Sequence, residues 1–318
     1  MRILFLLAAL FLLGTFAPPG LQRNPPPPPV SWVDFAPVAL RGTGTTRLGG
    51  LRFLGGWAVT SNDPRFGGIS AMHVSGGETL AVSDAGWRMR IPLPGEGAGR
   101  ARVAIDPVED GPGPFGDKEN RDVESMAVAG GEVWLGFERA NAVWRYDLAR
   151  FDVRASAAPA AMRGWTGNRG AEAMVRLPDG RFLVFAEGEG GDSEVLLFAG
   201  DPALPGTAAL RLRYRPPAGY RVTDAAWLLD GRLVLLNRRV GLFDGFTAKL
   251  VVARLPPLAE GALIAGTETA SFEGPVTRDN LEALSVTREG GRTILWIASD
   301  DNYNPLQRTL LMKFALVE

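Results

Sequence analysis

Short apolar runs rich in β-branched and aromatic residues alternate with glycine turns along most of the chain. Residues 79–82, 133–137, 182–185, 233–236 and 293–297 are such runs. Each follows a turn: Ser75-Gly76-Gly77, Ala129-Gly130-Gly131, Pro178-Asp179-Gly180, Asp230-Gly231 and Glu289-Gly290-Gly291. Gly-Gly and Asp-Gly between apolar runs signal hairpins, because glycine accepts a positive φ. A third apolar run follows in most cases, at 142–146, 194–198, 249–253 and 309–314. Beyond the N-terminus no segment holds a helical period over several turns. The pattern predicts antiparallel strands throughout.

The turns belong to a longer repeat. Ser70-Ala71-Met72, Glu124-Ser125-Met126, Glu172-Ala173-Met174, Asp224-Ala225-Ala226 and Glu282-Ala283-Leu284 each precede one turn, and their starts lie 54, 48, 52 and 58 residues apart. Modules of three or four strands repeated about every 50 residues predict an all-β ring, the β-propeller. Five blades are clear, and a sixth, degenerate blade is the alternative. Residues 51–60 lack an acidic start of their own. They are expected to complete the C-terminal blade as its outer strand, which removes a free sheet edge.

The first residues follow another pattern. Arg2 leads into an apolar run at 3–13 and then Gly14-Thr15-Phe16-Ala17. A basic start, a short apolar stretch and small residues describe a secretory signal, and the run is too short to span a bilayer comfortably. Residues 1–18 are read as a signal peptide cleaved near residue 17, or as an anchor if uncleaved. Residues 19–35, with consecutive prolines at 25–29, are read as a stiff linker, and 36–318 as the propeller. The expected location is periplasmic or secreted, with no membrane span in the mature protein.

Composition narrows the chemistry. Charged residues at 22% and hydrophobic ones at 46% are ordinary for a globular protein. A net charge of -1 and a pI of about 6.1 give no electrostatic reason to bind nucleic acid or an anionic membrane. The chain has no cysteine, which excludes disulfides, thiolate metal sites and cysteine nucleophiles. Its single histidine, His73, cannot make a three-histidine zinc site and reads as a packed residue of the first module. A monomer is expected.

The polar residues recur with the blades. Ser70, Glu124, Glu172, Asp224 and Glu282 begin the innermost strands, while Asp84, Glu138, Glu187, Asn237-Arg238 and Asp300-Asp301 end the strands beside them. Both sets are therefore expected at one mouth of the ring. Arg121, Arg169 and Arg221 each stand three residues before an acidic start, so guanidiniums are expected among the carboxylates. Crowded carboxylates need protons, arginines or a cation. Oxygen-only donors suit a hard cation, Ca²⁺ before Mg²⁺. Glu124, Glu172, Asp224, Glu282, Asp300 and Asp301 are the candidate metal ligands, although each acid could equally pair with an arginine or loop amides and fix its blade. Glu172, Glu282 and Arg169 are the candidate catalytic residues; Arg121, Arg221 and Arg238 are the candidate substrate-binding residues.

Several ordered motifs carry a family resemblance. Arg65-Phe66-Gly67-Gly68-Ile69-Ser70 with Ser83-Asp84, Asn168-Arg169-Gly170-Ala171-Glu172-Ala173, Val222-Thr223-Asp224, Asp279-Asn280-Leu281-Glu282-Ala283, Ser299-Asp300-Asp301-Asn302 and Gln307-Arg308-Thr309-Leu310-Leu311 resemble the bacterial secreted family termed esterase-like activity of phytase, over roughly 48–316. The resemblance implies a propeller related to calcium-dependent phytases. It therefore implies a calcium-dependent hydrolase of phosphate or other esters, acting on a small anionic or ester substrate, with a sugar-lactone type of lactonase as a variant. The chain departs from the alkaline phytase pattern, having lysine only at Lys118, Lys249 and Lys313 and Ser70 in place of an acid. A non-catalytic ligand- or protein-binding propeller is the alternative, since fold does not fix function.

Overall fold

The computed structural model describes residues 26–41, 46–116, 118–165, 169–188 and 191–317. The expected signal segment and the first part of the linker lie outside these. The described residues form five sheets. We number the blades I to V by their innermost strands, Ile69–Ser75, Val123–Ala129, Ala171–Arg176, Arg221–Trp227 and Leu281–Glu289. Each innermost strand touches the next and the fifth touches the first, so the ring is closed. Five apolar clusters fill the gaps between successive blades. One joins Ala71, Leu80 and Val82 of blade I to Val123, Val133 and Leu135 of blade II. The cluster between blades V and I stacks Trp57 on Trp296, with ring centroids 6.3 Å apart. Burial of such faces is the main cohesive force of the ring.

The hairpins form where the glycine pairs stand. Gly76 and Gly77 have φ of 58° and 84°, and Gly130 and Gly131 have 60° and 80°. Two consecutive positive φ angles are the requirement of a tight hairpin whose twist matches its strands. The Asp-Gly turns of blades III and IV instead place the aspartate oxygen on a following backbone N–H, as when Arg181 N donates to Asp179 Oδ1 at 3.1 Å.

Blade V is the seam. Leu51–Ser61 pairs antiparallel with the C-terminal strand Thr309–Leu316, with Val59 opposite Thr309. This is the closure expected from sequence. The sheet then extends outward: Trp32–Pro37 pairs with Leu51–Ser61, and Gly99–Arg102, lent by blade I, pairs with Trp32–Pro37. Residues 32–35, read as linker, thus belong to the sheet. Among the described residues no helix is long and apolar enough to cross a membrane.

Every innermost strand carries a β-bulge at the same point. The register slips between Ile69 and Ala71, Val123 and Ser125, Ala171 and Ala173, Val222 and Asp224, and Leu281 and Ala283. The extra residues are Ser70, Glu124, Glu172, Thr223 and Glu282. A bulge re-aims side chains out of the strict alternation of a strand. In blade IV the equivalent position is Thr223, and Asp224, aligned from sequence with the three glutamates, falls one place later.

That shift changes the role of Asp224. Its carboxylate is buried and accepts from Ala225 N at 2.7 Å and, across the blade boundary, from Leu284 N at 2.6 Å. Hydroxyls also tie successive blades, here as donors. Ser70 Oγ donates to Val123 O at 2.5 Å, Ser125 Oγ to Ala171 O at 2.6 Å and Thr223 Oγ1 to Leu281 O at 3.5 Å. Asp224→Ala is expected to lower stability by about 1–3 kcal/mol, the cost of leaving the Leu284 N–H buried without an acceptor. Asp224→Asn, which keeps one acceptor oxygen, is expected to lose less. Thermal denaturation followed by circular dichroism checks both.

Candidate functional site

The bulges order the mouth into two layers. The first layer holds the bulge residues, three glutamates and the hydroxyls of Ser70 and Thr223. The second is read from the pairing: the residue before each bulge faces Ser83, Phe137, Ala186, Asn237 or Ser299 on the adjacent strand. The residues following those are Asp84, Glu138, Glu187, Arg238 and Asp300. Four carboxylates and one guanidinium thus occupy equivalent places. Blades I and IV depart in the first layer, with Ser70 and Thr223 where three blades have glutamate, and blade IV alone departs in the second, with an arginine where four have an acid.

Arg238 is the cation of this assembly. Its Nη1 donates to Glu282 Oε1 and, at 2.7 Å, to Asn280 Oδ1; its Nη2 lies 3.9 Å from Glu187 Oε1. Burial opposes its charge, but Glu282, Glu187, Glu172 and Glu124 outweigh burial and raise its pKa. Asn280 Nδ2 also donates to Glu282 Oε1 at 2.9 Å, and Arg221 Nη1 to Glu187 Oε2 at 3.2 Å from an exposed position at the rim.

On blade II three carboxylates crowd together. Asp122, Glu124 and Glu138 each present a carboxylate oxygen within 4.8 Å of the others. Arg139 Nε donates to Asp122 at 3.1 Å from one side. Burial raises the Glu124 carboxyl well above the usual range, helped by Asp122, Glu172, Glu282 and Glu138. Burial and then Glu138 and Glu187 do the same to Glu172, against the pull of Arg238. Glu138 is pushed up to about 7 by burial and by Asp122, while a hydrogen bond with Glu172 and one from the Gly170 backbone restrain the shift. Glu138 and Glu172 are thus hydrogen-bonded carboxyls whose burial and mutual proximity both oppose full ionisation. Burial and Glu282 likewise raise Asp300.

Other residues singled out from sequence have different places. Arg121 is buried with its guanidinium turned under the loop ahead of blade II. It donates to Val108 O at 2.7 Å, Glu109 O at 2.9 Å and Gly113 O at 2.9 Å. It is committed to loop carbonyls and does not join the mouth carboxylates. Arg169 is exposed, three residues before Glu172 in the chain. Asp301 accepts from Gly68 N at 2.9 Å, Tyr303 N at 3.0 Å and Thr309 Oγ1 at 2.9 Å, fastening blade V to blade I. His73 lies half-buried farther along blade I, and burial lowers its pKa. Asp122 was not singled out; its signal is its slot, two residues before a bulge, which Gly68, Gly170, Arg221 and Asn280 fill in the other blades.

The raised carboxyls make a pH prediction. Glu138 holds its proton more tightly in the folded state than in the unfolded chain. Its contribution to stability is complete below the unfolded value of about 4.3 and is lost as pH rises through its folded value. In EDTA, the protein is expected to melt at a higher temperature at pH 6 than at pH 8, and Glu138→Gln to flatten that dependence. Melting curves of both proteins across this range are the check.

Residues 64–303 match the family model Phytase-like, described as esterase-like activity of phytase. No curated protein matches the chain. Among solved structures, the chain is similar to the glutaminyl cyclase of Myxococcus xanthus, at 10% identity and a TM-score of 0.46, covering 84% of this chain and 97% of that one. It is similar to an α-L-arabinofuranosidase of Podospora anserina, at 11% identity and a TM-score of 0.46, covering 88% and 96%. It is also similar to the major Malassezia sympodialis allergen Mala s 1, at 14% identity and a TM-score of 0.44, covering 85% and 90%.

Proposed function

The chain belongs to the phytase-like family, that of the esterase-like activity of phytase, and from this membership we propose that it is an exported, Ca²⁺-dependent hydrolase of phosphate or other esters. The observation that carries the reading is the carboxylate cluster of Asp122, Glu124 and Glu138, with oxygens within 4.8 Å of one another. Ca²⁺ takes six to eight oxygens at about 2.3–2.6 Å, so two ligands of one ion stand at most about 5 Å apart. The cluster fits that limit, and its oxygen-only donor set suits a hard cation over zinc or copper. Glu172, joined to Glu138, and Glu282 and Asp300 across the mouth would complete the set directly or through water.

A bound Ca²⁺ would supply Lewis acidity toward an ester oxygen and a lowered pKa for water. The chain's own residues supply the rest. Glu138 and Glu172, hydrogen-bonded to each other and both with raised pKa, would serve as a general acid–base pair. Arg238, held by Glu282 and Asn280, can stabilise negative charge growing on the substrate, with Arg221 exposed at the rim. The apolar run at 3–13 supports export through a secretory signal.

A second reading rests on a specific observation. Arg238 already neutralises one half of the mouth, while Asp224 and Asp301 are consumed by backbone and hydroxyl donors. These interactions support a mouth built to bind a ligand or partner protein without turnover.

Calorimetric titration with Ca²⁺ and assays on p-nitrophenyl phosphate, bis-p-nitrophenyl phosphate, phytate and acyl esters separate the two. The hydrolase reading expects saturable Ca²⁺ binding and turnover abolished by EDTA. The double variant Glu172→Gln, Glu282→Gln should then lose about 100-fold or more in rate while still folding. Ca²⁺-independent inertness toward every ester would leave the binding reading standing.

A further inference from the structure

The hairpin of blade IV projects beyond the mouth. Its strands, Leu233–Gly241 and Gly245–Ala253, are nine residues each, against five or six for the corresponding strands of blades I to III. At its tip Leu242 and Phe243 are 54% and 92% exposed, and on the facing loop of blade V Leu306 is 73% exposed. Between tip and loop lies a groove of about 370 Å³, whose walls include Arg41, Arg278, Arg308, Phe246, Val276 and Leu306.

The three arginines are arranged with donors to spare. Arg278 is fixed from behind, its Nε donating to Phe246 O and its Nη2 to Asp244 O, both at 2.9 Å. Arg308 donates through Nε to Asp279 at 3.1 Å and through Nη2 to Arg278 O at 3.1 Å. Arg41 is attached through its backbone N–H, which donates to Thr277 Oγ1 at 3.1 Å, while its side chain is exposed. Among the described residues, no carboxylate pairs with the guanidiniums of Arg41 or Arg278. Of the two acids of the groove, Asp244 pairs with Arg239 at 3.3 Å, while Asp279 accepts from Arg308 within the groove and from the Asn280 N–H, which leaves two of the three guanidiniums without a carboxylate. The groove is therefore net positive beside a net negative mouth. Oriented guanidiniums favour carboxylate and phosphate groups, and the apolar walls and rim favour a nonpolar body.

We propose that this groove is a second binding site, for an anion carrying an apolar chain: an alkyl or aryl phosphate, or a fatty carboxylate. The anionic head meets Arg41, Arg278 and Arg308, and the chain lies along Phe246 and Val276 under Leu306 and the hairpin tip. The site stands apart from catalysis at the mouth and holds whether or not esters are turned over.

Calorimetry with octyl phosphate, octanoate, inorganic phosphate and the uncharged octyl glucoside, all below micelle concentrations and in EDTA, tests it. Expected is saturable one-to-one binding of octyl phosphate or octanoate, with whichever binds tighter identifying the head group. Inorganic phosphate and octyl glucoside should bind at least about ten-fold more weakly, each lacking one half of the recognition. Arg41→Glu and Leu306→Ser alter exposed side chains and should each weaken binding several-fold with an unchanged circular dichroism spectrum. The mouth variant Glu172→Gln, Glu282→Gln should bind as the wild type does. Absence of saturable binding, equal binding of octyl glucoside, indifference to Arg41→Glu, or loss of binding in the mouth variant would each overturn the proposal.

Discussion

The site depends on one backbone irregularity repeated five times. A strand alternates its side chains between two faces, and in a closed ring both faces of an innermost strand are taken by neighbouring blades. A bulge interrupts that alternation and re-aims the side chain of the residue it adds. The bulge at Ser70, Glu124, Glu172, Thr223 and Glu282 breaks it in every blade at the same height. The strands beside them then end in a second polar layer, from Asp84 round to Asp300. Geometry thus concentrates charge at one point before any ligand is considered.

Concentration creates the electrostatic problem that the remaining residues answer. Like charges in a desolvated space cannot all stay ionised. Blade IV answers with Arg238, set where the other blades carry acids and joined to Glu282 and Asn280. The half formed by blades II and III answers with raised, hydrogen-bonded carboxyls at Glu138 and Glu172, which resist full ionisation. A divalent cation would be a third answer in the same half, at Asp122, Glu124 and Glu138. Proton and cation would then compete for one set of oxygens, which would make acidity and metal affinity at this mouth a single property.

Much of this was legible in the chain. The glycine turns and the 48–58-residue repeat announce the blades, because both follow from local backbone requirements. The closing strand was legible for the same reason, being a strand without a module. Register was harder. Asp224 resembles Glu172 and Glu282 in type and neighbours, yet pairing places Thr223 in their slot. A bulge is a property of two strands, so one strand's letters do not show it. Arg121 stands three residues before Glu124, as Arg169 does before Glu172, but its side chain turns toward the carbonyls of an irregular loop that the repeat does not describe. The pairing of Glu138 with Glu172 joins neighbouring blades and has no signature within either.

The seam in blade V also sets the order in which the molecule can assemble. Val59 and Thr309 are 250 positions apart, and their strands must meet before the fifth sheet exists. Contacts of such separation form late, after the more local hairpins have folded. A chain emerging N-terminus first keeps Leu51–Ser61 waiting as an unpaired edge until its last strand is free. The ring is therefore closed only once Thr309–Leu316 is available, so the carboxylates of blade V, Glu282 and Asp300, are the last to be brought to the mouth.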